Sequence, residues 1–354
     1  MISNTPIQKD IAHQPDGKGN VKSQDDGTVG CVDNEESLHP AVRVAKWAPF
    51  HKGGRNVLCP QMSAFEKLLH KEKILLLDGA WGTEFFQRGL MPGCPPDEWN
   101  LTHPEMVQEI TRDYLSAGSQ VVLTNTFGAN RFRLEPHGLS DRTAEINLTA
   151  AALARQVVGD KALLAGDIGP TARFLAEVSA EELKRVFSEQ ARALAKGGVD
   201  LLVVESMTDA EEMALAVSAA AQETGLPVVA SMTYNRTPHG YRTMMGNTPQ
   251  ACLEKAEKAG AAVIGANCGS GIEDYVPLAP VLRELTRLPL WFKANAGVPH
   301  IVGGKVAYPL SAEQYASFVP AILEVGVSMI GGCCGTSPSF IREMRKVIAD
   351  VRSA

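Results

Sequence analysis

What this chain lacks narrows its class first. No apolar run reaches the roughly 18–20 residues that a membrane-spanning helix needs. Basic residues are not in excess, since 34 Lys and Arg stand against 40 Asp and Glu for a formal charge of −6. Without a basic cluster, the electrostatic footprint of a nucleic-acid-binding protein is missing. Neither a membrane nor a nucleic acid is therefore an expected partner. Met1 to Asn20 is polar with no apolar core, so no secretory signal is expected. Cysteine is scarce: seven residues, an odd number in a long chain, fit a reducing cytoplasm better than a disulfide framework.

What is present is an ordinary globular composition, 45% hydrophobic and 21% charged over 354 residues. That length suits a single (β/α)8 barrel. The first 61 residues differ from the rest. They are rich in Asp, Gln, Gly, Asn and Ser without sustained periodicity, which predicts a disordered extension. Trp47 and Phe50, within Val42 to Phe50, form an isolated apolar patch there. An amphipathic helix is expected from Met62, itself a candidate translation start, leading straight into the first strand and opening a barrel domain over 62–354.

From residue 73 short apolar runs alternate with longer helical patterns. Strands are expected at 74–78, 120–126, 162–168, 201–206, 228–234, 262–268, 290–296 and 328–333. Helices are expected between and after them, over 104–117, 141–158, 180–196, 209–223, 249–259, 272–287, 312–325 and 338–351. Thr248-Pro249 and Ser337-Pro338 each place a capping hydroxyl before a first-turn proline. Eight strand–helix units predict an α/β fold, a (β/α)8 TIM barrel. The rival, an open doubly wound sheet, needs a glycine-rich phosphate turn after its first strand. Asp78-Gly-Ala-Trp-Gly-Thr83 lacks that spacing.

Active-site groups of such a barrel gather at the C-terminal ends of its strands. Those positions hold Asp78 and Gly79, Thr124 to Thr126, Asp167, Glu205 and Ser206, Asn267 and Cys268, Asn295, and Cys333 and Cys334. Polar groups that close apolar strands are costly unless satisfied, so the set reads as a site. Cys268, Cys333 and Cys334 sit among glycines at the ends of two such strands. Three thiolates there make an incomplete tetrahedral Zn²⁺ site with its fourth position open. The alternative is that they are small buried core residues. Three thiolates leave zinc a weak Lewis acid, poorly suited to making hydroxide and better suited to binding a thiol. Asp78 and Glu205 on the rim can receive the ammonium of an amino acid, and backbone N–H groups of the glycine turns can hold its carboxylate. The residues thus fit alkylation of a thiol amino acid. They do not reveal which group is transferred.

Leu77-Asp-Gly-Ala-Trp-Gly-Thr83, Asn100-Leu-Thr-His-Pro104, Thr124-Asn-Thr-Phe127, Gly265-Ala-Asn-Cys-Gly269 and Gly331-Gly-Cys-Cys-Gly-Thr336 carry a resemblance. In that order, over residues 62–352, they resemble the homocysteine S-methyltransferases. That family includes betaine–homocysteine methyltransferase and the homocysteine-binding module of cobalamin-dependent methionine synthase. The resemblance implies a zinc-dependent barrel with Cys268, Cys333 and Cys334 as ligands. It also implies homocysteine contacts from Asp78, Gly79, Thr124 and Glu205, with Asn267 beside the first ligand. It leaves the methyl donor open. Gly128 stands where the betaine-using branch has an aromatic residue, and the S-methylmethionine branch departs from the Thr-Asn-Thr-Phe wording. The wording is most similar to the cobalamin-linked module, which implies methylcobalamin, carried on a separate corrinoid protein, as donor. S-methylmethionine, S-adenosylmethionine and betaine are the alternatives.

Two readings from other classes compete. A zinc or thiol sensor would not need Asp78, Glu205 and the Thr-Asn-Thr segment together. A phosphate-binding barrel lyase would want a phosphate cradle after strands 7 and 8, where the cysteines stand, and a Schiff-base lysine, for which Lys293 is the one candidate.

Overall fold

The computed structural model describes residues 62–303 and 305–353, and the expected extension over 1–61 lies outside them. Twelve strands are present. They are β1 Leu75–Leu76, β2 Val121–Leu123, β3 Leu163–Ile168, β4 Leu201–Met207, β5 Val228–Met232, β6 Asn235–Thr237, β7 Gly240–Arg242, β8 Val263–Gly271, β9 Leu290–Asn295, β10 His300–Val302, β11 Lys305–Ala307 and β12 Met329–Gly332. Eight of them form one parallel sheet in the order β1-β12-β9-β8-β5-β4-β3-β2, and a single parallel bridge, Leu77 to Val121, joins its two ends. The result is a nearly closed (β/α)8 barrel, with helices between successive strands as the alternation predicted.

Side-chain parity shows how the barrel fills. Leu75, Leu77, Val121, Leu123, Leu163, Ala165, Leu201, Val203, Val229, Val263, Trp291 and Met329 pack together inside it. Their neighbours Leu76, Val122, Leu164, Leu202, Ala230, Ile264, Phe292 and Ile330 face the helix layer. That is the two-residue period of a strand buried on both faces. Two residues beyond the interior positions stand Asp167, Glu205, Ser231, Asn267 and Lys293, all buried. An apolar lower layer therefore carries a polar upper one.

The floor is closed by the helix Ala64–Glu72. Ser63 caps it through Glu66 in a reciprocal capping box, and Phe65, 2% exposed, joins the interior cluster. The expected helix thus begins after Ser63 and plugs the barrel before it leads to β1.

Four features depart from the sequence reading. Hairpins β6–β7 and β10–β11 stand on the loops after the fifth and seventh barrel strands. Trp81–Gln87 is helical where only a turn was read. The single helix expected over 312–325 is two, Ala312–Ala316 and Val319–Glu324. Pro320 explains that break: it has no N–H to give to the carbonyl four residues back.

The seam between β1 and β2 is stitched by side chains. Leu76 N donates to Gln120 Oε1 at 3.1 Å, Ser119 Oγ donates to Leu77 O at 3.2 Å, and Leu123 N donates to Asp78 Oδ2 at 2.8 Å. Among the described residues, no helix is long and apolar enough to cross a membrane.

Candidate active site and metal centre

The end of β12 turns sharply, and its glycines are required by what surrounds it. A Cβ on Gly331 would lie 2.6 Å from Asp78 O, and Gly335 has φ 82°. Thr336, fully buried, locks the turn: its hydroxyl donates to Cys333 O at 2.7 Å and accepts from Ala80 N at 3.2 Å. Cys333 and Cys334 are thereby fixed against the loop after β1. Gly79 belongs to the same contact, since a Cβ there would lie 2.9 Å from both Thr336 Oγ1 and Tyr114 Oη.

The third cysteine is presented by strained backbone. Cys268 has φ 61° and Ser206, across the barrel rim, has φ 58°. Neither residue favours the left-handed region, and such outliers persist only where their surroundings fix them. Asn267 is the clamp. Its Oδ1 accepts from Ser206 N at 2.8 Å and from Ser231 Oγ at 2.7 Å, while its Nδ2 donates to Ser206 Oγ at 2.6 Å. Tyr275 Oη holds Cys268 O at 2.9 Å.

The three sulfurs converge. Cys268 Sγ lies 4.0 Å from Cys334 Sγ, and Cys333 Sγ lies 3.9 Å from Cys334 Sγ. All three fall within 4.8 Å of one another. Tetrahedral zinc with Zn–S bonds near 2.3 Å separates its sulfurs by about 3.8 Å, so the donor set fits this ion. Hydrogen bonds from Cys333 and Cys334 hold the Cys268 thiol down to about 3. Hydrogen bonding to Cys268 in turn pushes Cys334 up to about 12, and Cys333 rises as well. One thiolate braced by two thiols is a cluster lacking a shared cation.

The sulfurs line a cavity of about 390 Å³ whose walls include Trp81, Phe85, Phe127, Asp167 and Glu205. Burial pushes Glu205 up to about 7; Lys293 opposes the rise, and Asp78 and Cys268 add to it. Asp167 rises well above its usual value, through burial and then the neighbouring Glu205. Glu205 Oε2 and Asp167 Oδ1 are both buried without a hydrogen-bond partner among the described residues. Two carboxyl oxygens left unpaired in one cavity are poised for a donor from a ligand.

Lys293, 3% exposed, reaches Asp78 Oδ1 at 2.6 Å. Burial alone would lower its ammonium, but the carboxylates of Asp78 and Glu205 outweigh that and raise it. Asp78 is fully engaged: besides Lys293 and Leu123 N, it accepts from Trp81 Nε1 at 2.9 Å.

The residues read from sequence thus fall into two tiers. Gly79, Glu205, Cys268, Cys333 and Cys334 line the cavity. Asp78, Thr124 and Asn267 lie behind its wall with their polar atoms bonded to protein. The Thr124 hydroxyl lies 2.6 Å from that of Thr126 and accepts from Asp167 N at 3.0 Å. Sequence reasoning missed Lys293 as a partner of Asp78. It also missed Asp97, a wall carboxyl that accepts from Gly128 N at 3.0 Å and that burial pushes up to about 6. Asp167 was visible as a strand end, but nothing in the sequence aimed it at Glu205.

Residues 75–348 match the family model described as homocysteine S-methyltransferase. Methionine synthase from Mycobacterium tuberculosis is 30% identical over 303 residues, covering 79% of this chain and 25% of that protein. The Mycobacterium leprae methionine synthase is 29% identical over 300 residues, with 78% and 24% covered. This chain therefore spans about a quarter of the length of these relatives. Among solved structures, the metallated homocysteine methyltransferase MmuM from Escherichia coli superposes with a TM-score of 0.68 at 24% identity. That match covers 80% of this chain and 99% of MmuM, and supports the fold.

Proposed function

The chain belongs to the homocysteine S-methyltransferase family, a family of methyltransferases, and from that premise we propose that it methylates the sulfur of homocysteine to give methionine. The observation that carries this reading is one cavity holding both a three-cysteine cluster and two unpaired carboxyl oxygens. A thiol amino acid has the two groups such a cavity selects: a soft sulfur at one end and an ammonium at the other.

Cys268, Cys333 and Cys334 would hold Zn²⁺. Bound there, zinc lowers the pKa of a thiol approaching its open position, so the sulfur stays nucleophilic at neutral pH. The remaining work falls to the chain. Glu205, with Asp167 beside it, receives the substrate ammonium and fixes the sulfur's direction. Backbone N–H groups of the Gly79 turn receive the carboxylate. Asp78 acts from behind the wall, holding Lys293 and Trp81 in place, and Asn267 keeps Ser206 and Cys268 in their strained conformations. The walls of Trp81, Phe85 and Phe127 exclude water from the reacting sulfur. The sulfur lone pair forms the new S–C bond, the donor keeps the electron pair of the bond that breaks, and the thiol proton passes to solvent.

For the donor, the motif wording supports a methyl-corrinoid carried by a separate protein or domain. Methionine formation by zinc-loaded protein with homocysteine and methylcobalamin tests this. S-methylmethionine, S-adenosylmethionine and betaine are the parallel arms. Methionine with another donor only would replace the corrinoid; methionine with none would sink the reading.

A further inference from the structure

The loop after β9 returns to the metal centre at a residue no motif contains. Its hairpin β10–β11 projects outward and ends at Ala307, and the next residue, Tyr308, folds back. The Tyr308 hydroxyl donates a hydrogen bond to Cys334 Sγ. Its ring lies on Gly335, where any Cβ would overlap it. The same loop is tied to this cysteine through the backbone. Ala296 N donates to Cys334 O at 2.9 Å, and Leu310 N donates to Ala296 O at 3.2 Å. Gly335 is therefore glycine for two reasons, its φ of 82° and the ring above it.

We propose that Tyr308 is a positioning residue of the metal centre, holding Cys334 Sγ in its ligating direction and drawing electron density from it. This rests on the reading of Cys268, Cys333 and Cys334 as zinc ligands. A hydrogen bond into a thiolate makes that sulfur a poorer electron donor, which leaves the ion a stronger acceptor for a fourth ligand. It also removes one rotational freedom from the sulfur, so the site is closer to its bound geometry before metal arrives. Of the three sulfurs, Cys334 is the one that sits at the edge of the loop. The tyrosine supplies a restraint there that Asn267 and Tyr275 supply around Cys268.

Tyr308→Phe tests this, because the ring stays on Gly335 and only the hydroxyl goes. Zinc competition against a chromogenic chelator should show affinity reduced about 10–100-fold, the usual cost of losing such a partner. In Co²⁺-loaded protein, the sulfur-to-cobalt charge-transfer bands should shift relative to wild type. An unchanged thermal midpoint of the metal-free variant would show that its fold is intact. Wild-type zinc affinity together with an unshifted cobalt spectrum would overturn the assignment. Cys333→Ala separates the two levels. If it loses the metal while Tyr308→Phe is unaffected, only the tyrosine's role fails. If it keeps the metal with full affinity, the three-thiolate reading fails too.

Discussion

Asp78 and Lys293 lie 215 positions apart in the chain and meet at 2.6 Å inside the barrel, both almost completely buried. The pair joins the first barrel strand to the seventh beneath the substrate cavity. Neither charge is tolerable there alone.

Breaking this pair should cost stability first and activity as a result. Asp78→Asn leaves the Lys293 ammonium buried without its counter-charge, at about 3–5 kcal/mol. Lys293→Met should cost a similar amount. The double variant Asp78→Leu with Lys293→Met should recover part of it, since apolar replacement of a buried pair is often neutral. Recovery stays partial because Trp81 Nε1 and Leu123 N also lose their acceptor. Urea denaturation of the four proteins reads this directly, and additive losses would contradict the pairing.

Purified protein should carry zinc near one ion per chain, and Cys333→Ala should lower that content sharply. Removing zinc should also lower the thermal midpoint. An ion at 100 times its dissociation constant stabilises the folded state by about 2.7 kcal/mol. Elemental analysis and thermal scans with and without chelator check both. A chain that turns over fully without zinc would remove the reason for three converging thiols.

Glu205 makes stability and binding oppose each other in pH. Burial lifts its carboxyl from 4.5 to about 7, so within that window the folded chain holds a proton that the unfolded chain has released. Stability therefore falls as pH rises through the window. Glu205→Gln escapes that cost, and its midpoint should gain on wild type progressively between about pH 5 and pH 8. Its homocysteine affinity should fall by about 1.5–3 kcal/mol, the worth of a charge-assisted hydrogen bond. A midpoint difference that is flat with pH would show that Glu205 is ionised throughout.

Phe65→Ala opens the barrel floor and should destabilise the fold by about 3–5 kcal/mol, as large aromatic truncations do. The cysteines lie at the other end, so zinc stoichiometry should survive. A chain beginning at Met62 keeps both the plug and every rim residue. It is expected to match the full chain in zinc content, midpoint and homocysteine affinity, and calorimetry on the two proteins compares them.

The barrel was legible because its two signals are local. Apolar runs such as Leu201 to Val204 end in an acidic residue, and helices such as Pro104–Ala117 begin and end at proline and glycine punctuation. The cysteines were legible for the same reason, as each stands at a strand end among glycines. Lys293 was not, because it interrupts Leu290–Asn295 and its partner is set by barrel closure, not by spacing. Thr124 illustrates the limit in the other direction. Its position at a strand end is as expected, yet its hydroxyl bonds to Thr126 and Asp167 and not to the cavity. Strand-end position says which layer a residue occupies, and parity with distant neighbours says which way it looks. The hairpins β6–β7 and β10–β11 escaped notice because three-residue strands carry too little periodicity to read.

The seam between the first two strands gives the barrel a clasp. Elsewhere around the ring neighbouring strands are joined by backbone ladders of two or more residue pairs. Here the join is one bridge, finished by the side chains of Gln120, Ser119 and Asp78. Thermal breathing will start where the fewest bonds must open together, so this line is where the cylinder comes apart first. Because Asp78 is both a stitch in the seam and the anchor of Lys293, the first opening also dismantles the floor of the substrate cavity. Catalytic competence is then lost ahead of global unfolding, and a substrate that tightens the rim slows the step by which the whole chain unravels.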